Sequence, residues 1–466
     1  HSVRGVIVLG GVMRLLAAVY AMPVLGGPIA DGFIGMRRAV TFGGLLLVAG
    51  HLGMAFEGEA AQQTAQGIVR DTQALSVFYL SLALIVVGVG FLKPNISTVV
   101  GKLYPVDDPR RDAGFTIFYM GINIGAFSAT LLCGWLGEVY GWSWGFGAAG
   151  IGMLLGLIVF QWGQQYLMGH GEPAEPKQLK HSVGLPGLTV ERSIYLGSLL
   201  MVAVVWQLVQ LTATVGTLLD VLSLTVLAGL GWFLVFRCNK VERERMFVLI
   251  MLTLSTVIFW ALFEQGAGSM TLYADRVTDK TLFGVSLTAA QFGAANSFFI
   301  FSLAPLFAML WIRLGQRGWE PSTPVKFSLG IAQAGLGFGA LVYGAQFPDQ
   351  AGVVSAWWLI VAYLLHTTGE LCLSPVGLSA VTKLAVPSVV GVMMGTWFLA
   401  SAYSSYVAAQ IATIAARPSD ESTLDLSGAL TGYTELFSQL LYIGLAGGVV
   451  LLMLSPLLKR MMHGVR

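Results

Sequence analysis

The chain has 466 residues, of which 56% are hydrophobic and only 11% charged, with a net charge of +2. A soluble domain carries about 25% charged residues, so this chain cannot cover itself in polar surface, and its small net charge argues against a nucleic-acid partner. With a mean hydropathy of +0.75, its apolar runs of about 20 residues read as helices crossing a bilayer, since open sheet edges and alternating barrel strands both disagree with the pattern.

Thirteen spans are predicted in chain order, at about 9–31, 39–57, 75–101, 113–137, 143–167, 193–212, 217–236, 246–273, 285–312, 325–346, 354–381, 387–415 and 432–458. Of the 26 Lys and Arg residues, nineteen fall in the C-terminal tail and the segments that share its side, four on the opposite side, and Arg4, Arg14 and Lys93 in neither set. That asymmetry places the richer side, including the C-terminus, in the cytoplasm. No secretory leader with a basic start and small-residue cleavage site is read. The opening HSVRGVIVLGG reads either as a sequence truncated upstream or, over residues 1–9, as the stump of a first helix joined across an omitted loop.

The longest hydrophilic stretch between spans begins at Met168 and divides the chain. The predicted organisation is an N-terminal helical bundle over 1–167 with an incomplete first helix, a cytoplasmic linker over 168–192, an inserted two-helix hairpin over 193–236 and a C-terminal six-helix bundle over 237–466. Two bundles around a midplane site are the plan of major facilitator transporters. Cys133, Cys238 and Cys372 have no paired or metal-binding spacing and read as ordinary buried thiols.

Ionisable groups inside spans carry the functional signal. Lys93 sits in LALIVVGVGFLKPNISTVVG, Glu264 in VIFWALFEQGAGSM and Glu370 in LLHTTGELCLSPVGLS. A charge at a helix centre costs about 2.5–3.5 kcal/mol on insertion scales, so a scaffold has no use for it. From mid-span the Lys93 stem is too short to snorkel, and static buried pairs are seldom kept for stability. Lys93 precedes Pro94, and Glu370 precedes the Ser374–Pro375 step, where a helix break is expected. Asp220 and Glu435 fall near the predicted outer ends of their spans and read as solvated.

FYMGINIGAF places Tyr119 and Asn123 on one helix face and Gly121 and Gly125 on another. The glycines suggest close helix packing, and Asn123 either lines a cavity or bonds another helix. Tyr20, Asn296 and Trp397 are weaker candidates, Trp397 reading first as packing. His51 and His366 lack a carboxylate at helical spacing and read as packing residues.

Together these motifs resemble the proton-coupled oligopeptide transporters, the peptide branch of the major facilitator superfamily. PVLGGPIADGFIGMRR and FYMGINIGAF are similar to its two signatures, GFLKPNIST, FWALFEQ and GELCLSPVG to its charged helices, and the pair at 193–236 to the inserted helices of bacterial members. The ExxER motif of the family's first helix is absent from this sequence.

The resemblance implies an all-α polytopic membrane protein that imports di- and tripeptides with protons by alternating access. It implies a substrate-binding set of Tyr20, Lys93, Asn123, Asn296, Glu370, Ser374 and Trp397. Glu264, Arg4, Lys93 and Glu370 would serve proton coupling and gating, and Gly26, Gly27, Asp31, Arg37 and Arg38 the structural motif. It further implies no cofactor beyond the coupling proton, no enzymatic activity, lipid contact, a monomer, and the bacterial inner membrane. A symporter of another small anion such as nitrate, and a non-transporting peptide receptor, are the alternatives. A multidrug exporter would not need these signatures, and no GxSxG, HExxH or aspartate pair supports a hydrolase.

Overall fold

Long apolar stretches become helices throughout the computed structural model, which describes residues 22, 26–27, 29–59, 62–64, 67–69, 71–103, 111–173, 175–182, 188–386, 389–415 and 426–465. The principal helices are α1 (Met36–Met54), α2 (Thr72–Lys102), α3 (Arg111–Val139), α4 (Trp142–Gly163), α5 (Val190–Gln210), α6 (Thr212–Phe236) and α7 (Lys240–Phe263). They continue as α8 (Ser269–Val277), α9 (Ala294–Gln316), α10 (Thr323–Gly344), α11 (Trp357–Leu384), α12 (Val390–Ala415) and α13 (Leu426–Met461). Strands are confined to three two-stranded pairs among the described residues.

Ten described helical stretches are long and apolar enough to cross a membrane. Of the thirteen predicted spans, 9–31 lies largely outside the described residues, while 39–57 and 387–415 form α1 and α12 but are not among those ten. The predicted span 246–273 is not one helix. It breaks at a 3-10 turn over Glu264–Ala267 and Gly268, and α8 resumes at Ser269. Conversely, α11 continues through Pro375 and α2 through Pro94, so the expected break at Ser374–Pro375 does not occur. Proline in a membrane helix is tolerated where neighbours cover the backbone it disturbs.

The chain divides into two compact units. One contains Ala18–Ile122 and Leu132–Val215. Here α1 and α2 cross backbone to backbone: a Cβ on Gly43 would lie 2.6 Å from the Gly88 carbonyl oxygen, and one on Gly88 would lie 2.8 Å from that of Gly43. Such contacts replace the hydrophobic drive that lipid cannot supply. A Cβ on Gly44 would come within 2.9 Å of Leu157, which brings α4 against α1, and the rings of Phe42 and Tyr195, 4.9 Å apart, bring α5 to the same unit.

The start of α2 shows how sequence fixes a boundary. Asp71 accepts the Gln73 and Ala74 amides at 3.0 Å, capping the helix. The Ala74 amide first, and the Glu59 amide next, hold its carboxyl below its usual value. A depressed acid stabilises the fold above its unfolded pKa, and that contribution is lost as pH falls through the folded value. Asp71→Ala is therefore expected to lower the thermal midpoint at neutral pH, with the gap to wild type closing below about pH 4. Thermal unfolding of both proteins across pH checks this.

The other unit contains Asn123–Leu131 and Gly216–Arg466. An Asn239–Glu242 capping box starts α7. α10 is the hub. A Cβ on Gly444 of α13 would lie 2.5 Å from the Gly335 Cα, and one on Gly369 of α11 would lie 2.7 Å from the Gly330 carbonyl oxygen. Around these crossings Phe259, Phe338, Tyr273 and Phe437 are fully buried. α7 packs on α12, and α9 on α11, which positions the polar groups described next.

Candidate functional site

Two acids stand in the apolar helices of the C-terminal unit, each met by a specific donor. Glu264 lies where α7 gives way to its 3-10 turn. Its Oε1 accepts from the Ser405 hydroxyl of α12 at 2.8 Å, while its buried Oε2 has no hydrogen-bond partner among the described residues. The adjoining Gln265 is fully buried and donates to the Ala261 and Ala408 carbonyl oxygens at 3.2 and 3.1 Å. The Ser269 hydroxyl then donates to Gln265 Oε1 at 2.9 Å. The broken helix is thus stitched to α12 by side chains where the regular backbone ladder stops.

Glu370 lies on α11 and is half-buried. The Asn296 amide of α9 donates to Glu370 Oε2 at 3.2 Å and to the Thr367 hydroxyl at 3.0 Å. Thr367, one turn before Glu370, passes its own proton to the Tyr363 carbonyl at 2.7 Å. One amide therefore fixes the carboxylate and leaves its remaining lone pairs available to a cationic ligand. The Tyr363 hydroxyl donates to the Gly266 carbonyl at 3.0 Å, joining the Glu370 helix to the Glu264 turn. Tyr363→Phe is expected to cost about 1 kcal/mol through this lost bond. A lowered thermal midpoint with retained folded yield checks it.

Other candidates of this unit take different places. Trp397 is 5% exposed and lies over Gly377, where a Cβ would come within 2.1 Å of its ring, with Phe327 edge-on at 6.3 Å. Ser374 is half-buried on α11. His366 is buried against Phe338, with Nε2 3.0 Å from the Ala334 carbonyl oxygen, and His51 Nδ1 lies 2.7 Å from that of Leu47. Both rings are held by helix carbonyls, as packing residues are. Asn123, in the α3 segment of this unit, is buried at 9% exposure.

In the N-terminal unit Lys93 is exposed on α2, nine residues before its end at Lys102, which is about 14 Å along the axis. Met22 and Gly26 lie against this part of α2. A Cβ on Gly26 would lie 2.1 Å from the Gly90 carbonyl oxygen, the acceptor that Pro94 cannot serve, whereas one on Gly27 would be 3.9 Å from Pro94 Cβ. The Asn95 amide donates to the Phe91 carbonyl at 2.7 Å and to that of Gly26 at 3.4 Å.

Arg37 bonds Glu172 at 2.5 Å and Gln164 Oε1 at 2.8 Å, and Arg38 bonds Glu191 at 2.6 Å. These arginines anchor the chain around the linker. The close packing expected at Gly121 and Gly125 is not found among the described residues: a Cβ on either would meet no described atom within 4 Å. Arg4 and Tyr20, and the side chain of Asp31, lie outside the described residues.

Sequence reasoning passed over Thr367, Tyr363, Ser405 and Gln265. Thr367 and Tyr363 precede Glu370 by three and seven residues, one helix face, which is the signal that points to them. Ser405 and Gln265 carry none, because the bonds that join α12 to the Glu264 turn, Ser405 to Glu264 and Gln265 to Ala408, cross between helices. Among the described residues no group of three or more His, Cys, Asp or Glu side chains could hold a metal ion.

The profile of the POT family (PTR2) matches residues 37–429. Uncharacterized transporter YclF of Bacillus subtilis (strain 168) is 37% identical over 457 residues, covering 96% of this chain and 84% of the relative. Dipeptide and tripeptide permease A of Cronobacter turicensis is 31% identical over 448 residues, covering 96% and 84%. A crystal structure of a mutant of the peptide transporter POT in complex with alafosfalin superposes with a TM-score of 0.76 at 36% identity, covering 98% of this chain and 87% of that one. With helices of membrane-spanning length in both units and a family profile across most of its length, the chain belongs to the POT family: it is a multi-pass membrane transporter of the major facilitator type, not an enzyme.

Proposed function

We propose that the chain imports di- and tripeptides together with protons by alternating access. The observation that carries this reading is the Glu370 carboxylate held by Asn296 beside Thr367 inside an apolar helical unit. A fixed carboxylate of this kind suits the ammonium end of a peptide. Lys93, exposed on α2, supplies a cation for the carboxylate end, and the naming of relatives as peptide carriers supports the substrate class. Tyr20, Asn123, Ser374 and Trp397 complete the proposed substrate set.

Protonation of Glu370 or Glu264 removes a charge and turns an acceptor into a donor, which biases one conformation over another. Arg4 joins these acids and Lys93 in coupling, while Gly26, Gly27, Asp31, Arg37 and Arg38 act structurally. The proposed organisation remains a bundle over 1–167, a linker over 168–192, a hairpin over 193–236 and a bundle over 237–466. The carrier works as a monomer in the bacterial inner membrane, its C-terminus cytoplasmic, with the proton as its only coupling species.

Labelled dialanine uptake into proteoliposomes, with and without an inward proton gradient, tests this. Accumulation above equilibrium that requires the gradient is expected. Exchange without accumulation would remove the proton coupling, and binding without exchange would favour a receptor.

A further inference from the structure

The acid at Asp220 plays no part in the peptide reading, yet it lies one turn inside the membrane-spanning stretch Gly216–Phe236. It is exposed, and the Tyr403 hydroxyl of α12 donates to its Oδ1 at 3.1 Å.

Beside it is a cavity of about 590 Å³ between α6, α7 and α12, within the range of about 300–1,000 Å³ that holds organic ligands. The cavity exists because α6 meets the rest of its unit at its two ends. Near its start a Cβ on Gly216 would lie 2.4 Å from the Tyr406 hydroxyl oxygen, and Leu230 and Leu234 are buried in the core farther along. Between these anchors Leu224, Leu227, Ile250, Leu254, Val257 and Leu399 form apolar walls.

Two threonines also line it, but their hydroxyls are spent on their own helices, Thr253 on the Leu249 carbonyl and Thr396 on that of Val392. Polarity is left to Asp220 with the Tyr403 hydroxyl that it holds, and to Ser223, whose buried Oγ has no hydrogen-bond partner among the described residues. The cavity therefore has an anionic head end near the start of the span and an apolar body.

We propose that this cavity binds an amphipathic amine, its ammonium head on Asp220 and its hydrocarbon along α6. Charge complementarity selects the head, and apolar burial along about two helical turns holds the tail. An aminophospholipid and a free long-chain amine share this chemistry. The site does not rest on the peptide reading.

Two measurements on the full chain test it: native mass spectrometry with dioleoylphosphatidylethanolamine or dioleoylphosphatidylglycerol, and thermal unfolding with dodecylamine or dodecanol. Preference for the amine-bearing probe is expected in at least one pair. That preference should fall about tenfold in Asp220→Asn, return in Asp220→Glu, and weaken in Leu227→Trp, which narrows the cavity. Retention of phosphatidylethanolamine identifies a lipid as the source, and a response to dodecylamine alone identifies a free amine. Equal binding of amine and amine-free probes overturns the proposal, as does amine binding undiminished in both Asp220→Asn and Leu227→Trp.

Discussion

Gradient-driven dialanine accumulation is expected to fall to background in Glu370→Ala and in Lys93→Ala. The alanine at 370 removes the acceptor that Asn296 holds at 3.2 Å and that the proposed peptide ammonium would meet. A hydrogen bond to a charged group contributes about 1.5–3 kcal/mol, so its loss alone lowers affinity about 10- to 100-fold. Loss of coupling comes on top of that, because a non-titrating side chain can no longer gain and release a proton during the cycle. Glu370→Gln separates the two effects. It keeps the shape and an oxygen for Asn296 but not the charge, so peptide exchange should persist in weakened form while accumulation stops.

Lys93 provides the complementary test. It is exposed on α2, so its truncation leaves no cavity in the core. A thermal midpoint close to wild type together with lost uptake would mark a role in transport rather than in folding. Full peptide accumulation in Glu370→Gln would sink the assignment of the ammonium site and favour the anion reading. The measurement is uptake at equal reconstituted protein, with thermal unfolding of each variant as the control.

The second large effect is structural. Gly26→Ala is expected to lose most of the folded yield, while Gly27→Ala is tolerated. The added methyl at 26 would lie 2.1 Å from the Gly90 carbonyl oxygen and 2.6 Å from its carbon. Those are backbone atoms of α2, which cannot swing aside as a flexible side chain does. Overpacking costs about 1–3 kcal/mol in ordinary cores, and more where backbone blocks relaxation. At Gly27 the new Cβ would be 3.9 Å from Pro94 Cβ, an ordinary contact. Detergent-extracted yield and thermal midpoint of the two variants give the comparison, and equal behaviour would show that Gly26 does not seat on α2 as described.

How much of this was legible beforehand differs by residue. Lys93, Glu264 and Glu370 stood out because a charge in an oily run is conspicuous against its local background. The bonds of Arg37 and Arg38 to Glu172, Gln164 and Glu191 could not be read beforehand, because those partners lie more than 120 residues away along the chain. The helix break at Gly268 was missed because apolar periodicity runs on across a turn that Gln265 and Ser405 tie to α12. The break expected at Pro375 was overcalled, since proline disturbs one turn and neighbouring helices absorb the change.

The sequence by itself determined the solvent, the helical class and which ionisable residues stand inside apolar runs. These follow from composition and from the expense of placing charge in hydrocarbon, which each segment declares alone. Only the tertiary structure decided which donor each acid meets, Asn296 for Glu370 and Ser405 for Glu264. It alone also showed that Gly26 closes over a carbonyl of α2, while Gly121 and Gly125 meet no described atom within 4 Å of a Cβ. Those partners lie tens to hundreds of residues away along the chain. Helix periodicity tells which residues share a face, but the partner of that face is chosen by packing between helices, where a single methyl group decides how near two backbones come.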